Sequence, residues 1–357
     1  MDKVENNINI TIENIKEVDA APMKRAAARW NSIAKPLHGM GKLEDLVIQL
    51  AGIQRTDRVR IDKKALAVMC ADNGVVEEGV TQTGQEVTAI VAGNFHGGET
   101  TAAILCESAG VDLFPVDVGM IVDVPGTDRR KTLYGTKNMA KGPAMTREEA
   151  CAAVWSGMQV AAELKEKGYQ ILASGEMGIG NTTTSAAVTS VLLGMPPEEA
   201  AGRGAGLSDE GLQRKFRVIR EAIDINRPDP EDPLDVLAKV GGLDIAALTG
   251  VFLGGAAAGI PVVADGVISC TAALAAVRMA PVCREYILPS HISDEPAARP
   301  LLKELEMDPV LDAEMHLGEG TGAVALFPLL DMALKVYNQM STFEGIEIEP
   351  YREYGSR

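Results

Sequence analysis

Apolar residues recur at helical spacing in two early stretches, "APMKRAAARWNSIA" from Ala21 and "KLEDLVIQLAGIQ" from Lys42, with "KPLHGMG" as the break between them. From Lys64 onward the pattern changes. Short runs rich in Val, Ile and Leu appear ("KALAVMCAD", "VDLFPVDVG", "GYQILASGE" and "IPVVADG"), and each closes on Gly or an acidic residue. Between them lie alanine-rich helical patterns such as "ETTAAILCESAG", "EEACAAVWSGMQVAAELKEKG" and "TTTSAAVTSVLLG". Continuous apolar strands alternating with helices predict a parallel sheet buried on both faces. The expected fold is α/β: a doubly wound, mainly parallel, Rossmann-like sheet with a smaller helical domain. Residues 1–60 supply N-terminal helices to that small domain, 61–320 form the α/β domain, and 321–357 add a C-terminal helix and tail that complete the small one. "NRPDPEDP" (Asn226–Pro233) reads as a surface turn, and the polar tail after "LFPLLDMALKVYNQMSTF" as only partly ordered.

Charge narrows the possible partners. A formal net charge of -16 over 357 residues has the wrong sign for a nucleic-acid or anionic-membrane partner, so any phosphate must be held locally. The five cysteines are widely spaced and form no CxxC or Cys/His cluster, which indicates neither a disulfide framework nor a metal site. "MDKVENNINITIENIKEVDA" has no apolar signal core, and no run approaches the length of a membrane span. The expectation is a cytoplasmic protein.

In a doubly wound fold ligands gather at the carboxyl ends of the strands, so the strand ends are where chemistry is sought. "CADNGVVEEGVTQTGQEVT" follows one probable strand and crowds Asp72, Asn73, Thr81, Gln82, Thr83 and Gln85 into a polar loop; an ordinary long surface loop is the equal alternative. "ASGEMGIGNTTTSAA" runs from a strand through a glycine-rich turn into a helix whose first amides suit a phosphate. It is neither a Walker A loop nor GxGxxG, and Glu176 inside it needs a task other than phosphate binding. "AGRGAGLSDEGLQRKF" is a second glycine-rich approach to a helix. Ser208, Asp209 and Glu210 there resemble an ordinary helix start, and Arg203 and Lys215 are candidate phosphate cations, though each alone is more commonly a solvated charge. In "HLGEGTGAVAL" Glu319 lies between glycines at the mouth of an apolar helix, either a helix-start charge or a reagent. His316, like His38, His96 and His291, reads as a packed or solvent-facing histidine before it reads as an acid–base partner.

Together, "GEMGIGNTT", "ADNGVVEEGVTQTGQEVTA", "VGGLDIAALTGVFLG", "VVADGVISCTAALAA" and "HLGEGTGA" resemble, in order and spacing, the nicotinate-nucleotide–dimethylbenzimidazole phosphoribosyltransferases of cobalamin synthesis, from about Ile33 to Met340. That family moves phosphoribose from nicotinate mononucleotide to the lower-ligand base of a cobamide, releasing nicotinate and forming an α-glycosidic nucleotide. The resemblance implies Glu319 as general base, Glu176 as a further catalytic position, and Lys215 near the phosphate. It implies that Gly178, Gly180, Asn181 and Thr182, with Met177 before them and the loop carrying Arg203 and Gly204, hold the nucleotide. Thr81, Thr83 and Gln85 would line the base pocket, and Leu317 and Gly318 would flank the reacting centre. It implies no cofactor and no metal, nicotinate mononucleotide and an aromatic acceptor base as partners, and a dimer, of identical or related chains.

Three segments depart from the family's usual wording. "PLHGMGKLE" stands for a "PxGSLGxLE"-like segment, Asp72-Asn73-Gly74 for "DHG", and "TQTGQEV" for "SAYPQEV". The last removes an aromatic residue at Thr83 and a proline at Gly84, so the acceptor is benzimidazole or, with an altered pocket wall, a purine or phenolic base. The alternative reading is a same-fold partner or regulatory subunit without full activity. The presence of Glu176, Lys215 and Glu319 together argues against it.

Overall fold

In the computed structural model, residues 3–352 are described. Six strands form one sheet: β1 (Lys64–Ala71), β2 (Val111–Gly119), β3 (Asp128–Arg129), β4 (Ile171–Met177), β5 (Val262–Ala264) and β6 (Ile287–Pro289). Their spatial order is β3-β2-β1-β4-β5-β6, and every neighbouring pair is parallel. The chain winds outward from β1 in one direction, then returns to its other side at β4, which makes the β1/β4 boundary the topological switch point. The expected doubly wound α/β fold is present.

The helices in chain order are α1 (Lys3–Glu13), α2 (Ala20–Ser32), α3 (Lys42–Gln54), α4 (Glu86–Gly97), α5 (Thr101–Ala109), α6 (Arg147–Glu166) and α7 (Asn181–Leu193). They continue with α8 (Pro197–Ala200), α9 (Asp209–Asn226), α10 (Pro233–Val240), α11 (Leu243–Ala258), α12 (Val267–Met279), α13 (Ala298–Glu304) and α14 (Thr321–Gln339). Side chains of β1 alternate between two cores. Ala65, Ala67, Met69 and Ala71 meet α6, α7, α10, α11 and α12, whereas Leu66, Val68 and Cys70 meet α2, α3, α5 and α14. A strand buried on both faces has no polar side, which is why it reads as one uninterrupted apolar run.

Helix α1 was not legible in "KVENNINITIE", whose Asn and β-branched residues favour helix weakly. It forms because tertiary contacts override propensity: Ile8 is fully buried in the core, and Arg147 donates to Glu5 Oε1 at 2.8 Å. The tail expected to be partly ordered packs back only at its start, with Phe343 buried and Thr342 bridged to Ile33, whereas residues 344–352 are exposed and touch back through the Tyr351 ring, 5.1 Å from that of Phe343; residues 353–357 of that expectation lie outside the described residues. Asn226–Pro233 is the turn between α9 and α10. All five cysteines are buried and none is in a disulfide. Among the described residues no helix is long and apolar enough to cross a membrane.

The tight helix crossing of α6 on α11 is made by glycines. A Cβ at Gly157 would run into the carbonyl oxygen of Ala247, and one at Gly250 into that of Val154. The obstacles are backbone, which has nowhere to move. Gly157→Ala is therefore expected to cost about 1–3 kcal/mol through overpacking, seen as a lower urea midpoint with unchanged slope; an unaltered midpoint would show that the crossing can slide apart freely.

Candidate active site

A cavity of about 310 Å³ opens over the carboxyl ends of β4, β5 and β6. Its walls come from five short segments: 176–182 after β4, 265–269 after β5, 291–295 after β6, Gly204 and Ala205 before α9, and 316–319 before α14. Val87 and Val91 of α4 supply an apolar side. This volume lies at the lower end of the range of small-molecule sites.

Glu176 ends β4 almost fully buried. Burial raises its carboxyl first, and the charges of Asp244 and Asp265 raise it further, to about 8; the Asn181 side chain opposes this, and Glu319 adds to the rise. Asn181 holds the group in place, its Nδ2 donating to Glu176 Oε2 and to Asp244 Oδ2, the latter at 3.1 Å. Burial likewise lifts Asp244 to about 6, partly offset by its bonds to Asn181 and to its own segment's backbone. At neutral pH Glu176 therefore holds a proton, and the cluster avoids stacking carboxylates of full charge in a dry site. Gly318 makes this arrangement possible: its φ is +86°, and a Cβ there would lie 2.6 Å from Glu176 Oε1.

The raised carboxyl has a consequence for stability. Between about pH 4.5 and 8 the folded chain keeps a proton on Glu176 that the unfolded chain has lost, so stability falls as pH rises through that window. The melting temperature of the parent protein is expected to decline more steeply across that window than that of Glu176→Gln. Parallel curves would show that Glu176 is ionised in the folded state.

Glu319 sits at the residue before the α14 N-cap, with φ of +58°, a left-handed conformation uncommon outside glycine. Its carbonyl passes close over Gly175 of β4. Burial pushes its carboxyl above the ordinary value, the backbone of Ala102 at the start of α5 pulls it back, and Asp265 adds repulsion. Glu319 Oε2 is buried and has no hydrogen-bond partner. The helix behind it is already capped by another carboxylate. Asp265 Oδ1 accepts from Gly322 N at 2.7 Å and Ala323 N at 3.1 Å, and Oδ2 accepts from Gly320 N at 3.1 Å. The N-terminal charge role that the sequence offers to Glu319 thus belongs to Asp265, which leaves Glu319 free for chemistry.

Behind the cavity wall at Thr182, Lys215, on α9, is completely buried. Its Nζ donates to Thr182 Oγ1 and Gly202 O, both at 3.0 Å. Burial lowers its pKa to about 8, with Glu295 holding it up, so it is mainly a cation at neutral pH. Two amides of the "GIGNT" turn are committed, Ile179 N to Thr88 Oγ1 at 3.1 Å and Asn181 N to Gly178 O at 3.0 Å, and Thr183 N just beyond the turn donates to Gly180 O at 2.9 Å. Gly204 N, on the neighbouring loop, donates to Glu295 Oε1 at 3.1 Å.

Of the residues expected from sequence, Glu176, Met177, Gly178, Asn181, Thr182, Gly204, Leu317, Gly318 and Glu319 converge on this one cavity. Gly180 serves as the α7 N-cap at φ of 94°, and Lys215 lies behind Thr182. Arg203 does not line the cavity; its guanidinium bonds Asp209 and Leu207 O on its own loop. Thr81, Thr83 and Gln85 are not on the cavity wall: Thr81 Oγ1 donates to Thr83 O at 2.8 Å, and Gln85 Nε2 to Asn73 O at 3.1 Å. Polar turn residues satisfied within their own loop leave the wall to Val87 and Val91 of the following helix. Asp244, Asp265, His291, Ser293 and Glu295 were not anticipated, although Asp265 and His291 each follow an apolar run, where a strand tip delivers its side chain. His291 is buried, with Nδ1 3.1 Å from Ser290 Oγ, and it lines the cavity. His316 is exposed at the rim. Among the described residues no group of three or more His, Cys, Asp or Glu side chains is arranged to hold a metal ion.

Buried carboxyl groups and a buried ammonium around a cleft at the strand tips of a doubly wound sheet are the parts of an enzyme that handles a phosphorylated group. The sequence profile of a phosphoribosyltransferase family matches residues 15–348. This chain belongs to the nicotinate-nucleotide–dimethylbenzimidazole phosphoribosyltransferase family. It is 50% identical over 343 residues to the protein of that name from Ruminiclostridium cellulolyticum, covering 96% of this chain and 97% of the relative. The counterpart from Acetivibrio thermocellus is 48% identical over 344 residues, covering 96% and 98%. Its fold is similar to the crystal structure of CobT from Thermus thermophilus, with TM-score 0.87 and 40% identity over 92% of this chain and 99% of that one.

Proposed function

We propose that this protein transfers phosphoribose from nicotinate mononucleotide to an aromatic lower-ligand base, releasing nicotinate and making an α-ribazole-5′-phosphate type nucleotide for cobamide assembly. The observation that carries the reading is the pairing, across one cavity, of the unpartnered Glu319 Oε2 with the Lys215 anion site. The pyridinium of the nucleotide is already a good leaving group. The acceptor nitrogen attacks C1 from the face opposite nicotinate, the C1–nicotinate bond breaks, and Glu319 removes the acceptor's N–H proton. Inversion at C1 turns a β-nucleotide into an α-product. Positioning two partners supplies about 7–11 kcal/mol of such a barrier. Lys215, Thr182 and Gly204 N are the phosphate ligands in this reading, and Glu176, carrying its proton, is a hydrogen-bond donor to the departing nicotinate carboxylate.

Among the described residues no Phe, Tyr or Trp lines the cavity; Val87, Val91, Ile179 and Leu317 form the apolar wall. Such a wall selects by shape, which supports a range of acceptors. Mixing the protein with nicotinate mononucleotide and a panel of benzimidazoles, purines and phenols, then measuring free nicotinate, tests the reaction and ranks the acceptors. No release with any of them would reject this reading in favour of a partner or regulatory subunit. A cytoplasmic dimer fits the reading, and the exposed Ile90, Ile121, Val122 and Tyr134 support an intersubunit contact. The segments 1–60 and 321–357 act together as the smaller helical unit in this proposal. It is supported by Trp30 and Tyr337, whose rings lie 5.1 Å apart, and by the bond from Phe343 N to Ser32 O at 2.9 Å.

A further inference from the structure

The anion site around Lys215 has an occupant from the chain itself. Lys215 is fully buried, yet the two atoms its Nζ bonds, Thr182 Oγ1 and Gly202 O, are neutral. An ammonium has three N–H donors and, when buried, needs a countercharge nearby. The carboxylate facing this region is Glu295, on the segment that follows β6. Its Oε1 accepts from Gly204 N at 3.1 Å. Its Oε2 lies flat against Gly202, so close that a Cβ on that glycine would collide with it. The same carboxylate is the charge that favours the protonated form of Lys215 against burial.

Two oxygens set against a glycine-loop amide, beside a buried ammonium, reproduce what two oxygens of a phosphate would do there. Unlike Lys215, Glu295 is only half-buried, so its side chain can turn out toward solvent. We infer that Glu295 is a resident counter-anion of this site, and that the nucleotide's 5′-phosphate must displace it to bind. This rests on the reading of the Lys215 site as phosphate-binding. Two anions cannot share Gly204 N and the space over Gly202, and leaving both in place would set like charges in contact. A phosphate, with up to two charges and three free oxygens, replaces the carboxylate at Gly204 N and has an oxygen to spare for Lys215. A ligand lacking phosphate leaves Glu295 where it is and gains nothing from Lys215. Glu295 therefore makes the site selective: it keeps the buried cation neutralised when empty and sets a threshold that only a strong anion passes.

The test uses inorganic phosphate as the probe, titrated calorimetrically into the full chain at fixed ionic strength. Glu295→Gln keeps an oxygen for Gly204 N and removes the competing charge, and Glu295→Ala removes the group outright. Both are expected to bind phosphate about tenfold more tightly than the parent, and Lys215→Met is expected to lose phosphate binding. Equal or weaker binding in both Glu295 variants, with Lys215→Met still defective, overturns the displaced-anion role and leaves the phosphate site standing. Phosphate binding that Lys215→Met does not weaken overturns the site itself, and this inference with it. Melting curves identify any variant that fails to fold. A purely structural Glu295 would lower the melting temperature without tightening phosphate binding.

Discussion

Replacing Glu319 by Gln is expected to lower kcat/KM by roughly 10²–10⁴-fold while leaving the melting temperature near that of the parent. The amide keeps the size of the side chain and its place beside the Ala102 backbone but cannot accept a proton. The fold should tolerate the change because α14 is capped by Asp265 rather than by Glu319. Because Glu319 acts only when the acceptor loses its proton, the loss should fall on kcat, with the KM for nicotinate mononucleotide little altered. Its raised pKa adds a pH signature: the parent's rate should climb as Glu319 ionises above the ordinary carboxyl range, and that limb should vanish in the Glu319→Gln variant. A variant with full turnover would remove Glu319 from the chemistry and restore the mundane view of it as a helix-end charge.

The second large effect is expected at Lys215. Lys215→Met preserves the length and apolar stem of a fully buried side chain while deleting its charge. Hydrogen bonds to charged groups are worth about 1.5–3 kcal/mol, so affinity for nicotinate mononucleotide should fall by about 10- to 150-fold. The loss should appear mainly in KM, because the phosphate is held alike in the ground state and the transition state. Thr182 Oγ1 and Gly202 O lose their donor in the same step, which adds a modest fall in melting temperature. A KM within about twofold of the parent would place the phosphate elsewhere in the cavity.

Much of this architecture was legible because burial leaves a strong mark on sequence. The apolar runs that hold β1, β2, β4 and β5 close on Gly or an acidic residue at or next to the strand end, and that ending also points to the strand tips. Two strands were missed for a physical reason: β3 spans only Asp128–Arg129, both exposed, and β6 (Ile287–Pro289), as short as β5, runs on into Ser290 and His291 rather than closing on Gly or an acidic residue. Site residues carried on glycine-rich turns were legible one by one, since small residues next to a lone carboxylate rarely serve packing alone. Residues whose role depends on a partner far along the chain were not. Asp244 matters because Asn181 touches it, and Asp265 because three amides at the start of α14 meet it. Glu295 reads as a surface acid until Gly202 and Gly204 are placed beside it. Arg203 and Thr81, Thr83 and Gln85 stand outside the cavity wall, because their polar groups bond within a few residues or to a neighbouring turn, a pairing that a polar loop does not announce in sequence.

Asp265 also bears on how the protein is made. During synthesis the tip of β5 leaves the ribosome some 55 residues ahead of the amides that will cover it. Until Gly320, Gly322 and Ala323 emerge, its carboxylate sits at the strand tip with these three hydrogen-bond donors not yet built, even after β6 has completed the sheet. Domains fold from the N-terminus as the chain appears, but here the cavity's last wall and the cap on that carboxylate arrive together, only once α14 emerges. A nascent chain stalled before α14 would thus carry an open, acidic cleft that lacks the wall formed by residues 316–319.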